Sequence, residues 1–194
     1  MLPTRVLLAL TTLCLCAAAG VAGVWLAQAG DEAPTGWQGA LRPPGARLPE
    51  FELTSQDGRR VTAAGLRGRP LVVTFLYSTC EDTCPAQVQS IRGALDDLGR
   101  DVPVIGVSVD PANDTPARAR AFLLEQSMTG RMDFLLGTHA QLAPVWKAFG
   151  IAPQRRGRDH SAYTVLVDAE GRQRIGFPAS QLTPSRLAAD LRRL

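Results

Sequence analysis

The sequence of 194 residues has little lysine and little histidine. Lys147 is its only lysine, and the arginines that carry the rest of the positive charge are spread along the chain. Binding to nucleic acid requires a dense basic surface, so this distribution excludes a nucleic-acid partner. Internal repeats and low-complexity tracts are also missing. With 45% hydrophobic residues, the composition is that of one globular domain preceded by a leader or anchor segment.

The chain is also short of cysteine, because only Cys80 and Cys84 of its four cysteines lie outside the apolar amino-terminal stretch. Structural zinc takes four protein ligands, so the absence of a second cysteine pair argues against a zinc site. Cys14 and Cys16 are each preceded by leucine, whereas a lipoprotein cleavage site requires a small residue there. We therefore interpret these two cysteines as contributing only to the apolar character of the amino-terminal segment.

Residues 1–29 are predicted to form a transmembrane anchor or a signal segment. The apolar run from Val6 to about Ala27 has roughly the 20 residues that a membrane-spanning helix needs, and it exceeds the 7–15 residues that are typical of a secretory signal. However, Ala27-Gln28-Ala29 is a site that signal peptidase could accept. Arg5 is the only charged side chain before the run and favours a cytoplasmic amino terminus. The rest of the chain is therefore expected on the periplasmic side of the cytoplasmic membrane.

Residues 30–47 are rich in glycine, proline and alanine and are predicted to be a linker, followed by a folded domain over residues 48–194. In this domain, β-rich runs alternate with segments of helical spacing, which favours a mostly parallel sheet covered on both faces. The closing hairpin and helix are typical of a thioredoxin-like α/β fold, whose central sheet is mixed. The predicted elements are a hairpin at 51–62, strands at 71–77, 102–109, 134–136, 163–167 and 173–177, and helices at 85–98, 116–126, 138–149 and from 184 onwards.

Cys80 and Cys84 lie where the first buried strand leads into the first long helix. The amide groups at the start of a helix stabilise a thiolate and lower its pKa. Cysteines four residues apart share one face of a helical turn, so the pair could close as a disulfide or bind one metal ion. A structural disulfide across so short a loop contributes little to stability. Thiolates are soft ligands that favour Cu(I), for which one imidazole would complete a three-ligand site.

Two histidines are available as the third ligand. His139 is predicted in the first turn of a helix with a polar face, where it would be a solvated surface residue. His160 lies in the polar loop at 157–161, which leads into the strand that begins at Tyr163. In a thioredoxin-like topology, this loop passes close to the helix that carries the redox cysteines. A loop histidine is usually just exposed, so spacing alone leaves the role of His160 open.

Four blocks of the sequence, in this order along the chain, resemble the SCO/SenC family. The segment Thr74–Pro85 is similar to the Cys-x-x-x-Cys-Pro signature of that family, and Val107–Pro116 resembles its second block. Leu136–Ile151 resembles another block, and Asp159–Gly171 is similar to the block that contains a histidine. The resemblance covers about residues 48–194. Four blocks in order are far more specific than a lone Cys-x-x-x-Cys.

The resemblance implies a thioredoxin fold held at the membrane by one amino-terminal helix. It implies that Cys80, Cys84 and His160 bind one copper ion, as Cu(I), Cu(II) or both. It also implies that an upstream donor supplies this copper and that the chain delivers it to the binuclear copper centre of cytochrome c oxidase subunit II, or to another copper-protein client. Asn113 departs from the arginine that many members carry. Asp110 is expected to support the metal ligands, to orient its loop, or to be only a turn residue at the strand end.

The main alternative is a thiol–disulfide oxidoreductase of the thioredoxin superfamily without a copper role. The Cys-x-x-x-Cys spacing differs from the usual Cys-x-x-Cys redox motif, and thiol–disulfide exchange does not need His160. A peroxiredoxin-like peroxidase is a third possibility, although Cys84 would at once resolve an intermediate on Cys80. The sequence therefore favours a metallochaperone over an enzyme, and it leaves open whether Cys80 and Cys84 also act as a redox pair that reduces a client's cysteines.

Overall fold

The computed structural model describes residues 36–100, 102–154 and 162–194, and residues 37–194 belong to one compact unit. In the described ranges the chain forms eight strands and four α-helices. The strands are β1 (Ala40–Leu41), β2 (Glu52–Ser55), β3 (Arg60–Thr62), β4 (Leu71–Leu76), β5 (Val104–Ser108), β6 (Asp133–Leu136), β7 (Tyr163–Val167) and β8 (Gln173–Pro178). The helices are α1 (Thr83–Leu98), α2 (Pro116–Glu125), α3 (His139–Phe149) and α4 (Pro184–Leu191). The predicted elements are thereby confirmed in kind and order.

The described strands form one sheet in the order β1-β8-β7-β4-β5-β6-β2-β3. The β4–β5 and β5–β6 pairings are parallel, whereas the other five described pairings are antiparallel. The expectation of a mostly parallel sheet was wrong, and the sheet is mixed, as the thioredoxin-like prediction requires. The hairpins β2–β3 and β7–β8 are antiparallel because a short connection permits only that pairing, and β2 and β7 also join β6 and β4 in antiparallel direction.

Helices cover both faces of the sheet, as predicted. Strand β4 is buried along its whole length, and its side chains alternate between two apolar clusters. Val72 and Leu76 belong to the cluster that includes residues of α1, α2 and α4. Val73 and Phe75 belong to the cluster that includes residues of α3. Helix α1 therefore packs on the face of the sheet opposite to α3.

Local sequence signals explain where the helices begin and end. The Thr115 side chain caps α2, and Pro116 occupies the first turn, where its missing amide donor is not needed. Thr138 forms a capping box at the start of α3. Gly150 ends α3 with a φ of 72°, a left-handed conformation that glycine adopts without strain.

The segment before residue 48 is partly ordered against the domain. The sequence predicts a linker over residues 30–47, yet Ala40–Leu41 pairs with β8 as strand β1. The amides of Gln38 and Gly39 also donate to the fully buried carboxylate of Asp190 in α4, at 2.9–3.1 Å. These contacts use backbone groups, so the pattern of apolar side chains gives no sign of them.

Among the described residues, none of the helices combines the length and apolar character needed to cross a membrane. The anchor or signal segment predicted at residues 1–29, with Cys14 and Cys16, lies outside the described residues. Its two alternatives therefore both remain predictions.

Replacing Asp190 with alanine is expected to lower the free energy of unfolding by about 2–3 kcal/mol, because two amides lose a charged and buried acceptor. Urea denaturation of the full chain measures this change. Asp97→Ala, which removes an exposed carboxylate from α1, is the control and is expected to change stability by less than about 0.5 kcal/mol. An equal effect of both substitutions would contradict the assigned role of Asp190.

Candidate functional site

The two cysteines lie in and just before the first turn of α1, in the connection from β4. Strand β4 ends at Leu76, whose carbonyl accepts the Val109 amide at 3.0 Å. The chain then turns, so that the Cys80 amide donates to the Tyr77 carbonyl at 3.3 Å, and α1 begins at Thr83. The predicted junction of strand and helix is therefore confirmed. It puts both cysteines at the carboxyl edge of the central strand.

Cys80 and Cys84 are adjacent, and both are thiols. The Cys84 amide donates to Cys80 Sγ at 3.2 Å, and the Cys84 side chain gives the same sulfur a second hydrogen bond. Cys80 is partly exposed, whereas Cys84 is fully buried. One sulfur is thus accessible from solvent while the other is enclosed.

These hydrogen bonds make the two thiols unequal acids. The hydrogen bond from the Cys84 side chain is the main cause that lowers the pKa of Cys80 to about 6, against the opposing effect of burial. The Cys84 amide and the Tyr77 side chain lower this pKa further. The pKa of the Cys84 thiol is raised, chiefly because its hydrogen bond to Cys80 holds the proton and also because it is buried. Of the two sulfurs, Cys80 is therefore the one that loses its proton first as the pH rises.

The partly buried carboxylate of Asp114 holds the residues that precede Cys80. Asp114 Oδ1 accepts hydrogen bonds from the Ser78 amide at 2.7 Å and from the Ser78 hydroxyl at 2.6 Å. Asp114 Oδ2 accepts from the Ser108 hydroxyl at 2.5 Å. Burial raises the pKa of Asp114, while the hydrogen bonds from Ser108 and Ser78 oppose this. Sequence reasoning missed these three as site residues, although all lie within the blocks that resemble the SCO/SenC family.

Asp110 forms the turn that follows β5. Its carbonyl accepts the amides of Asn113 and Asp114 at 3.0 and 2.9 Å, and its carboxylate accepts the Asn113 side chain at 2.8 Å. These are the contacts of a strand-end turn, one of the roles expected for this residue. Asn113, which departs from the family pattern, thus contributes to closing the turn.

A second buried polar cluster ties α1 to β7. Gln87, which follows Cys84 in α1, donates from Nε2 to Thr164 Oγ1 at 2.8 Å and to Thr74 Oγ1. The two threonines are partners across the β4–β7 pairing, with their hydroxyls 3.1 Å apart. All three side chains are almost fully buried. The helix that carries Cys84 is therefore fixed directly to the strand that follows the predicted histidine loop.

The described residues on either side of this loop lie at the same edge of the sheet as the cysteines. Gln154 donates its amide to the Val109 carbonyl at 3.0 Å, just beyond the carboxyl end of β5. Ala162 directly precedes β7, which runs antiparallel to β4 and therefore begins beside the carboxyl end of that strand. His160 itself lies outside the described residues.

The other histidine, His139, is not placed to bind a metal ion together with the cysteines. His139 is exposed in the first turn of α3, on the opposite face of the sheet from α1, and its ring meets Trp146 edge to face at 5.1 Å. This agrees with the surface position predicted for it. Within the described ranges, no group of three or more His, Cys, Asp or Glu side chains could hold a metal ion, so Cys80 and Cys84 are the candidate ligands that the structure describes.

The unequal acidity of the two thiols predicts how Cys80 reacts. Because its pKa is lowered, the thiolate forms as the pH rises through about 6, and alkylation of Cys80 should reach half its maximal rate there. In Cys84→Ala the main hydrogen bond is lost, so the midpoint should move up towards the ordinary value of 9.0. Mass spectrometry of the peptide that contains Cys80 measures the rate in the metal-free chain.

Cys84→Ser serves as the matched control, because its hydroxyl still offers a donor to Cys80. Its midpoint is expected between those of the unaltered chain and Cys84→Ala. A midpoint near 9 in the unaltered chain would show that the hydrogen bonds to Cys80 Sγ do not form in solution.

Comparison with known proteins gives a consistent result. A family model described as SCO1/SenC matches residues 40–194. The chain is 34% identical to the protein SenC of Rhodobacter capsulatus over 66% of its length, and 30% identical to the SCO1 homologue of Bacillus subtilis over 69% of its length and 75% of that relative. Among solved structures, copper-bound ScoI of Bradyrhizobium japonicum is 35% identical, with a TM-score of 0.64 over 76% of this chain and 99% of that one.

These matches confirm the predicted fold class, a mixed sheet flanked by helices as in the Sco structures. The chain spans 59% of the length of the Rhodobacter relative and 64% of a relative from Rickettsia prowazekii.

Proposed function

The chain belongs to the SCO1/SenC family, and from this premise we propose that it is a copper chaperone that carries one copper ion on Cys80, Cys84 and His160. The observation that carries the proposal is the adjacent pair of thiols at the end of β4, one of them accessible from solvent. The copper bound to the related ScoI supports the choice of metal.

The two sulfurs suit copper by their chemistry. Thiolates are soft donors and select Cu(I) over the harder divalent ions. Structural zinc would require four protein ligands, which the cysteines outside residues 1–29 do not provide. Copper is the cargo of such a site, carried as Cu(I), Cu(II) or both.

His160 is the proposed third ligand, and chain connectivity supports it. His160 is two residues before Ala162, so their Cα atoms can be no more than about 7 Å apart. Ala162 directly precedes β7, whose first residues lie beside the end of β4, where the cysteine loop begins. The loop is tied to the same edge on its other side by the Gln154 amide.

The same arrangement would allow the copper to leave. A site with three ligands, one of them the partly exposed Cys80, leaves the metal open to attack by a ligand of a partner protein. Copper can then pass by ligand exchange. We propose the binuclear copper centre of cytochrome c oxidase subunit II as the acceptor, or another copper-protein client, and an upstream donor as the source.

The thiol pair also supports a second function, thiol–disulfide exchange with the client. In this step the dithiol of Cys80 and Cys84 becomes a disulfide, while a client disulfide takes up the two electrons and two protons and becomes two thiols. The low pKa and partial exposure of Cys80 are the observations that favour it. Such a step would prepare the client's cysteines for copper. The alternative in which this is the only function has no use for His160.

We further propose that residues 1–29 hold the chain at the cytoplasmic membrane, with the domain on the periplasmic side. The apolar run is long enough to span the bilayer, and Arg5 favours a cytoplasmic amino terminus. The domain would then be free to meet membrane-bound clients.

His160→Ala is expected to weaken copper binding by more than roughly 10–100-fold. Loss of a residue that only hydrogen-bonds to a metal ligand costs that much affinity, and here a ligand itself is lost. Anaerobic titration of the reduced full chain with Cu(I), against a chromogenic chelator, measures the affinity and should give one tight site in the unaltered chain. His139→Ala is the matched control and should bind copper like the unaltered chain.

Reduction of insulin by the same variants separates the two functions. Thiolate attack needs only Cys80 and Cys84, so His160→Ala should retain this activity. Retention of copper together with loss of reductase activity in His160→Ala would reverse the assignment and leave a thiol–disulfide oxidoreductase.

The anchor makes a prediction about the mature chain. If residues 1–29 are retained, the protein should stay in the membrane fraction after alkaline washing, and its intact mass should include the amino-terminal segment. Release into the periplasm with a mature chain that begins at Gly30 would show that the segment is a cleaved signal instead.

A further inference from the structure

Asp114 is partly buried beside the cysteine loop, and no arginine or lysine of the described domain forms an ion pair with it. A buried carboxylate is unfavourable unless hydrogen bonds compensate it. Here all the compensation comes from two serines, Ser78 and Ser108. One of them belongs to the loop that leads to Cys80.

Resting on the proposed function, we propose that Asp114 is a positioning residue, which fixes the loop before Cys80 in the arrangement that lets both sulfurs bind one copper ion. The carboxylate holds Ser78 twice, through its amide and its hydroxyl, two residues before the exposed sulfur. Asp114 itself does not touch the metal in this role.

The carboxylate is mounted on rigid elements. Its own amide donates to the Asp110 carbonyl at 2.9 Å in the turn after β5, and the next residue, Thr115, caps α2. The Ser108 hydroxyl, at the end of β5, holds its second oxygen. Asp114 therefore fixes the loop that follows β4 relative to β5 and α2.

The position of this loop decides where Cys80 Sγ lies relative to Cys84. Cys84 is fixed by its burial in the first turn of α1, whereas Cys80 is partly exposed and lies just outside the helix. Asp114 holds Ser78, two residues before Cys80, and Cys80 Sγ accepts the Cys84 amide, so the carboxylate and the two sulfurs belong to one small region.

Two substitutions distinguish the effect of the hydrogen bonds of Asp114 on copper binding from the effect of its charge. In Asp114→Asn the remaining carbonyl oxygen can keep both bonds from Ser78, and the Ser108 hydroxyl can turn to accept from the new amide group. In Asp114→Ala every one of these bonds is lost. The positioning role therefore predicts near-normal copper binding in Asp114→Asn and weak binding in Asp114→Ala.

The test is competition of the reduced full chain with a chromogenic Cu(I) chelator. Asp114→Ala should bind copper at least about tenfold more weakly, Asp114→Asn within about threefold of the unaltered chain, and Ser78→Ala between the two. Thr183→Ala is the matched control, because it removes the equivalent threonine cap from α4 without touching Asp114 or Ser78. It should lower the denaturation midpoint and leave the copper affinity unchanged.

Hydrogen–deuterium exchange of the metal-free chain gives a second measurement that does not depend on copper. The peptide that contains residues 77–80 should exchange faster in Asp114→Ala than in Asp114→Asn, and Thr183→Ala should leave its exchange unchanged. If Asp114→Ala fails to fold, Ser78→Ala and Asp114→Asn still decide the question by the same two measurements.

Unchanged affinity and unchanged loop exchange in Asp114→Ala or Ser78→Ala would overturn the positioning role. So would equal losses of affinity in Asp114→Ala and Asp114→Asn, since the charge and not the hydrogen bonds would then matter. Absence of tight copper binding in the unaltered chain would instead contradict the proposed function, and loop exchange would still report on Asp114.

Discussion

The hydrogen bond from the Cys84 amide to Cys80 Sγ is the interaction on which the rest of the site depends, because it joins the two cysteines. It requires both cysteines at fixed positions on one turn, although only Cys84 is anchored by burial. Fixing the backbone of each loop residue costs about 1–2 kcal/mol of conformational entropy. A loop without further contacts would therefore not keep Cys80 Sγ within hydrogen-bond distance of Cys84. The buried strand β4, the start of α1 and the Asp114–Ser78 contact together keep the loop in one conformation.

The mixed sheet has a functional consequence at the same place. Because β7 is antiparallel to β4, it begins at the edge where the cysteine loop leaves the sheet. A parallel β7 would begin at the opposite edge, about 20 Å away for a strand of this length. The antiparallel pairing of β7 with β4, which departs from the expected parallel sheet, thus places Ala162 and the start of β7 at the edge that carries Cys80 and Cys84.

Much of the fold could be predicted from the sequence because its signals are local. The apolar run of β4, the cap at Thr138 and the stop at Gly150 each depend on a few neighbouring residues. The junction that carries Cys80 and Cys84 was predictable for the same reason. The sequence did not predict strand direction, the pairing of Ala40–Leu41 or the hydrogen bonds from Ser78 to Asp114. These contacts join groups far apart in the chain through the backbone or through short polar side chains. Such contacts leave no periodic pattern.

The polar groups around the cysteines indicate that this edge of the domain serves a function besides stability. Asp114 is partly buried with no cation paired to it, and Gln87 Oε1 has no hydrogen-bond partner, among the described residues. Apolar residues of similar size often give equal or greater stability than buried charged groups, so stability alone does not explain them. Both reach away from their own element, Asp114 to the loop before Cys80 and Gln87 from the helix of Cys84 to β7. Because a hydrogen bond fixes direction as well as distance, polar contacts specify the relative positions of loop, helix and strand more narrowly than apolar packing can.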